Sequence, residues 1–252
     1  MEVNRFKNSF AENIFRFKYA QGPNDSWDAL VDRLVDDVCG TRGGTLQPLM
    51  SASDMKDLAE HMKRMAFLPG GRYLYYAGRQ FKAFNNCFLL RAEEDTREEW
   101  ANVTWRAMSC LMTGGGIGVD YSRLRPSGRI LQRTGGKASG PIPLMYGINE
   151  LGRQIMQGGS RRSAIYASLD SKHEDIPLFL RAKNWEDQQC GTSGLSLKQM
   201  KEQDFNFPAP LDMTNISVNY DDSAGLLTGN PVFLENCLQA MKTGEPGFSF
   251  NF

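Results

Sequence analysis

The stretch "FNNCFLL", Phe84–Leu90, marks the point where the chain changes character. Upstream, apolar residues recur with a helical period. Downstream, short apolar runs alternate with amphipathic helices, the pattern of βα units around a parallel sheet. Inside the stretch, Cys87 follows two carboxamides and opens the run "CFLL", which reads as a buried strand. A free cysteine is most often an inert core residue, so the role of this one rests on its surroundings.

Working upstream, "DSWDALVDRLVDDVCG" sets Trp27, Leu30, Val31, Leu34, Val35 and Val38 on one helical face and stops at Gly40. A second helix starts at about Ser53, with Met55, Leu58, Met62 and Met65 on one face, and ends before Pro69. His61 has no second ligand near it and reads as a boundary residue. Residues 1–75 are therefore expected to form a helical domain. Working downstream, "TREEWANVTWRAMSCLM" reads as a helix. Thr96 and Glu99 are spaced as a capping box, and Trp100, Val103, Ala107, Cys110 and Leu111 face inward. "GIGVDY", "SAIYASL" and "TNISVNY" read as strands. "PIPLMYGINELGRQIM" and "EDIPLFLRAK" read as helices. So does "NPVFLENCLQAMKTG", with Asn230 as cap, Pro231 in the first position and Gly244 as stop. Residues 186–210 are the least regular part.

The 252 residues carry 29 basic and 29 acidic side chains spread along the chain. No basic tail or acidic block points to nucleic acid, so a small-molecule partner is favoured. No apolar run approaches the roughly 20 residues that span a bilayer, and "MEVNRFKNSF" lacks the apolar core of a signal peptide. The chain is expected to be cytoplasmic, with neither a membrane nor a direct nucleic-acid partner. Its five cysteines, Cys39, Cys87, Cys110, Cys190 and Cys237, form no CxxC pair and are accompanied by two histidines. Neither a disulfide framework nor a zinc site fits that arrangement. In a reducing compartment they are thiols.

Two glycine-rich loops stand out. "TGGGIGVDYSRL", Thr113–Leu124, lies between a helix and a strand, whereas a dinucleotide fingerprint follows a strand and opens a helix, so a Rossmann reading fails. No P-loop is present. In "QGGSRRSAIYASL", Gln157–Leu169, two glycines permit close backbone approach and Arg161 and Arg162 offer planar forks for phosphate. Solvated loop arginines are the competing reading. Between the loops, Arg123, Arg125, Arg129, Arg133 and Lys137 sit among Gly, Ser and Pro with no carboxylate in the segment to neutralise them, which suggests a small phosphate-bearing ligand.

Taken in order, "NNCFLL", "GGGIGVDYSRLRPSG", "TGGKASGPIPLM", "QGGSRRSAIYASLD", "DIPLFLRAKN", "TNISV" and "TGEPGF" resemble the large catalytic chain of the ribonucleotide reductases, from about Phe67 onward. The compact adenosylcobalamin-dependent forms and minimal viral chains look nearest. The resemblance implies an α/β fold: a helical domain over 1–75, then residues 76–252 as roughly the first half of a ten-stranded α/β barrel, stopping before the finger loop. It implies that Cys87 is one of two cysteines that reduce the substrate and become a disulfide, and that the other four are structural. It places Asn86, Gly115, Gly116 and Asn215 at substrate-binding positions. Glu94, Arg125, Arg133 and Lys137 fall in the region that binds a deoxynucleotide effector. Gly158, Gly159, Ser160, Arg161, Arg162 and Ser163 correspond to the specificity loop between effector and substrate, although Arg161-Arg162-Ser163 departs from a loop often richer in glycine.

By the same resemblance the chain reduces the 2′-hydroxyl of a ribonucleoside di- or triphosphate by thiyl-radical chemistry, under dNTP or ATP effectors. The radical comes from adenosylcobalamin or from a separate metal-containing subunit, and a thioredoxin-like reductant restores the dithiol. The thiyl-forming cysteine, its Asn and Glu neighbours and the second redox cysteine follow "TGEPGF" in family order. That segment is Thr243–Phe248 here, so a C-terminal half is expected as partner and the chain alone is expected to be inactive. The alternative is a nucleotide-binding regulatory or assembly protein with the same partial fold and no catalysis.

Overall fold

The computed structural model describes residues 5–40, 47–155, 163–191, 193–222 and 227–251. The chain divides into two compact units, Met1–Asn86 and Cys87–Phe252.

The first unit holds α1 (Ser9–Lys18), α2 (Trp27–Cys39), α3 (Ala52–Lys63) and α4 (Gly71–Tyr76). Ser26 and Ser51 cap α2 and α3 by accepting the N–H groups of Ala29 and Asp54. The stripe of α2 buries Trp27, Leu30, Val31 and Leu34 against Phe15, Met62 and Leu74, and the Trp27 indole donates to the Met62 carbonyl at 3.0 Å. His61 is exposed on α3. The unit runs on to Asn86 because Arg72 donates to the Ala83 carbonyl at 2.8 Å and Tyr73 stacks on Phe84 with ring centroids 4.8 Å apart.

The second unit runs β1 (Cys87–Arg91), α5 (Arg97–Met112), β2 (Gly116–Asp120), α6 (Pro141–Gln154), β3 (Ile165–Asp170), α7 (Ile176–Leu180), α8 (Leu197–Gln203), β4 (Thr214–Asp221), α9 (Pro231–Thr243) and β5 (Gly247–Asn251). The strands pair in sequence order, all parallel. Alternate strand residues, among them Ile117, Val119, Ile165, Ala167, Leu169, Ile216, Val218 and Tyr220, are buried in one core with Trp100, Val103 and Leu111 of α5, Met145 and Ile148 of α6 and Phe179 of α7. Burying this apolar face is the main driving force for the unit. The intervening residues make the opposite face, which is polar and glycine-rich.

Local details differ from the sequence reading. β1 is only half-buried: it is an edge strand on which Leu90 and Phe88 pack on the core, while Cys87 and Arg91 are exposed and Leu89 retains 76% of its surface. Thr96 caps α5 by accepting from the Glu99 N–H, but the Glu99 carboxylate accepts from the Glu93 N–H instead of closing a box. Cys110 is only partly buried. The region 186–210 contains α8, which carries a complete capping box between Ser196 and Gln199. No described helix is long and apolar enough to cross a membrane.

Candidate active site

Side chains alternate across a strand, so the residues out of phase with the core share the open face of the sheet. Cys87 is the first of them. It pairs in register with Gly116, and a Cβ on Gly116 would lie 3.5 Å from the Cys87 sulfur and 3.3 Å from the Ala164 carbonyl oxygen. Two residues on, a Cβ on Gly118 would meet Tyr166 Cδ1 at 3.3 Å and Leu89 Cδ1 at 3.5 Å. The two glycines thus leave a floor of bare backbone beside an exposed free thiol. Asn215 is exposed on the same face, in register with Tyr166.

The structure brings Cys87, Gly116 and Asn215 to this face. Asn86 is exposed immediately before β1. Gly115 lies on the other side: a Cβ there would sit 2.6 Å from the Phe88 ring, and its N–H is bonded to the Cys110 carbonyl at 3.0 Å. It makes room for a core phenylalanine. Burial pushes the Cys39 and Cys110 thiols up from their ordinary range, which disfavours the thiolate form at both.

Towards the carboxyl ends of the strands the open face carries a hydrogen-bond network absent from the sequence reading. One Asp120 carboxylate oxygen accepts from the Ser122 hydroxyl at 2.5 Å, the Ser122 N–H at 3.1 Å and the Asn219 amide at 3.4 Å. The Asn219 amide also donates to Ser168 at 3.1 Å, and the Asp170 N–H donates to the Ser122 hydroxyl at 2.9 Å. This ties β2, β3 and β4 together. The signal was present in "GIGVD", "IYASLD" and "TNISVNYD", whose polar residues recur every second position.

Asp212 secures the entry to β4. Its side chain is 3% exposed and receives Arg153 at 3.0 and 2.5 Å and Lys201 at 2.9 Å. Burial pushes this carboxyl up, but the bonds from Arg153, Lys201 and Asn149 outweigh it and hold the group down at about 2. The Asn149 carbonyl oxygen in turn accepts from Met213 N–H and the Thr214 hydroxyl at 3.0 and 2.9 Å, placing the residue next to Asn215.

The arginine segment is less free than its sequence suggested. Arg123 pairs with Glu93 at 3.0 Å, Arg125 with Asp95 at 2.5 Å and Arg129 with Glu174 at 3.2 Å. The neutralising carboxylates come from remote parts of the chain, outside the segment 122–145. Arg125 also donates to the Asp95 carbonyl at 2.6 Å. Glu94 beside it is exposed, as are Arg133 and Lys137. Lys137 bridges Ile130 in an antiparallel turn. Of the predicted specificity loop, Gly158, Gly159, Ser160, Arg161 and Arg162 lie outside the described residues. Ser163 is buried and donates to the Ile155 carbonyl at 3.2 Å.

Residues 85–205 match the family model described as the ribonucleotide reductase barrel domain. Over 161 residues the chain is 31% identical to a vitamin B12-dependent ribonucleoside-diphosphate reductase of Mycobacterium tuberculosis, covering 64% of this chain and 23% of that protein. Over 111 residues it is 34% identical to the ribonucleoside-diphosphate reductase large subunit of Vaccinia virus, covering 44% and 14%. The chain thus spans about a quarter or less of the length of these relatives. Its fold matches the class Id ribonucleotide reductase alpha subunit of Actinobacillus ureae with a TM-score of 0.71 at 13% identity, covering 99% of this chain and 41% of the other. Over residues 85–205 the chain is thus similar to the barrel domain of ribonucleotide reductases.

Proposed function

We propose that this chain contributes the first half of a barrel that reduces ribonucleotides to deoxyribonucleotides, with Cys87 as one thiol of the reducing pair. The observation that carries the reading is the exposed Cys87 sulfur over Gly116, on the one face of the sheet that is polar and has no side-chain core on it. In the overall reaction the substrate C2′–O bond breaks and its oxygen leaves as water. A C2′–H bond forms, and two thiols lose two hydrogens to become a disulfide, so atoms and electrons balance. Cys87 supplies one sulfur. The second redox cysteine and the thiyl-forming cysteine belong to the complementary half of the barrel, and a thioredoxin-like protein reduces the disulfide.

In this reading Gly116 and Asn215 border the substrate, a ribonucleoside di- or triphosphate, and Asn86 also binds it. Glu94, Arg125, Arg133 and Lys137 bind the dNTP or ATP effector, Arg125 held in place by Asp95, and the loop Gly158–Ser163 passes base identity from effector to substrate. Adenosylcobalamin is the favoured radical source, in keeping with the relatives named as vitamin B12-dependent reductases, and a metal-containing subunit is the alternative. Among the described residues no three His, Cys, Asp or Glu side chains gather to hold a metal ion.

The test combines equilibrium dNTP binding with deoxynucleotide formation by the complete barrel. The expected result is dNTP binding with an effector-dependent change in which base is reduced. Effector binding without any deoxynucleotide formation would refute catalysis and leave the regulatory reading.

A further inference from the structure

One side chain on the open face has no part in the network described above. Tyr166, in the second position of β3, shares that face with Cys87 and is the one aromatic residue among the described strand positions there. The polar neighbours nearer the carboxyl ends, Asp120, Ser168 and Asn219, satisfy one another. The Tyr166 ring instead lies across the bare backbone of Gly118, with Leu89 on the other side of that glycine. The residue is only half-buried, and its hydroxyl forms no hydrogen bond to any described residue.

We propose that Tyr166 is a substrate-binding residue: its ring forms the wall of the trough floored by Gly116 and Gly118, across from Leu89 and diagonal to Cys87, and its hydroxyl hydrogen-bonds the nucleoside part of the bound ribonucleotide. The inference rests on the function proposed above. Three physical features support it. Adjacent strands are about 4.8 Å apart and each residue rises about 3.3 Å, so Cys87 on β1 and Tyr166 on β3, offset by two residues in register, stand about 12 Å apart diagonally across the glycines, leaving room for a pentose between them. A rigid aromatic side chain gives contact area at little entropic cost, and its phenol is both donor and acceptor. Finally, a Cβ at Gly118 would crowd the ring at 3.3 Å, so glycine is what allows the ring to lie low beside the trough.

The experiment follows alkylation of Cys87 by N-ethylmaleimide in the complete protein, read by mass spectrometry of the Cys87 peptide, with each common ribonucleoside di- and triphosphate as protecting ligand. Tyr166→Phe and Tyr166→Ala are compared with the wild type after circular dichroism shows unchanged folding. In the wild type at least one ribonucleotide is expected to slow alkylation. The concentration for half-protection should rise about 3- to 10-fold in Tyr166→Phe, the loss of one hydrogen bond, and about 10- to 100-fold in Tyr166→Ala, where the ring contact also goes. The alkylation rate without nucleotide should stay within about twofold in Tyr166→Phe. Protection of the wild type with unchanged half-protection in both variants would overturn the role of Tyr166 and leave the proposed function standing. Failure of every ribonucleotide to protect wild-type Cys87 would overturn the proposed function and this inference with it.

Discussion

Replacing Asp212 by Asn tests whether the entry to β4 is held by charge. The side chain is 3% exposed, and its two oxygens receive a bidentate Arg153 and the Lys201 ammonium. A carboxyl held at about 2, against an ordinary value of 3.8, contributes roughly 2–3 kcal/mol of stability when ionised. Asparagine keeps the shape but leaves two largely buried cations without their counter-charge, a change that can cost about 3–5 kcal/mol. Both cations keep other partners, Glu150 for Arg153 and the Phe205 and Phe207 carbonyls for Lys201, so the expected loss is at the low end, about 3 kcal/mol. For a domain of this size that lowers the melting temperature of the sheet unit by about 6–12 °C. The pH dependence separates charge from packing. Because the folded pKa is depressed, the contribution is fully present above about pH 4 and disappears as pH falls through about 2. Denaturant unfolding of wild type and Asp212→Asn should therefore show a gap that is constant from pH 5 to 7 and shrinks on acidification towards pH 2. A gap below about 1 kcal/mol at pH 7, or one that does not narrow in acid, would refute the reasoning.

Cys87→Ser in the complete enzyme should abolish multiple-turnover deoxynucleotide formation while leaving effector affinity unchanged, because oxygen conserves size but cannot form a disulfide; normal turnover with a dithiol reductant would remove Cys87 from the mechanism. Gly116→Val places branched carbon within contact of the Cys87 sulfur and the Ala164 carbonyl, so Cys87 alkylation should slow at least about 10-fold, corresponding to about 1.4 kcal/mol of added barrier; an unchanged alkylation rate would show that the glycine does not set access. Arg162→Ala should scramble base selectivity more than it lowers the maximal rate, at a coupling cost of about 1–3 kcal/mol. Selectivity measured across four substrates with their effectors decides it, and an unchanged pattern would make Arg162 a solvated loop residue.

What the sequence by itself determined is the material set by neighbours along the chain. The stripe from Trp27 to Val38 and the caps at Thr96 and Asn230 are local chemistry, and the helices stand where those signals put them. The strands beginning at Cys87, Gly116, Ile165 and Thr214 were legible as short apolar runs between helices, and with them the α/β class. The short helix α4, the helix α8 and the edge strand β5 were not, because short elements stabilised by docking carry weak periodicity. Tertiary structure alone decided which side of each strand is open. The sequence could not show that "CFLL" lies at an edge with its Cys87–Leu89 face open, since an apolar run looks alike whether one face or both are covered. Nor could it show that Glu93 and Asp95 would meet Arg123 and Arg125, 30 residues away, or that Asp212 would hold Arg153 across 59. Charge pairing depends on distance in space. It was the register Cys87–Gly116 and Gly118–Tyr166, a property of paired strands and not of either strand alone, that placed a thiol, a glycine floor and a tyrosine on one surface.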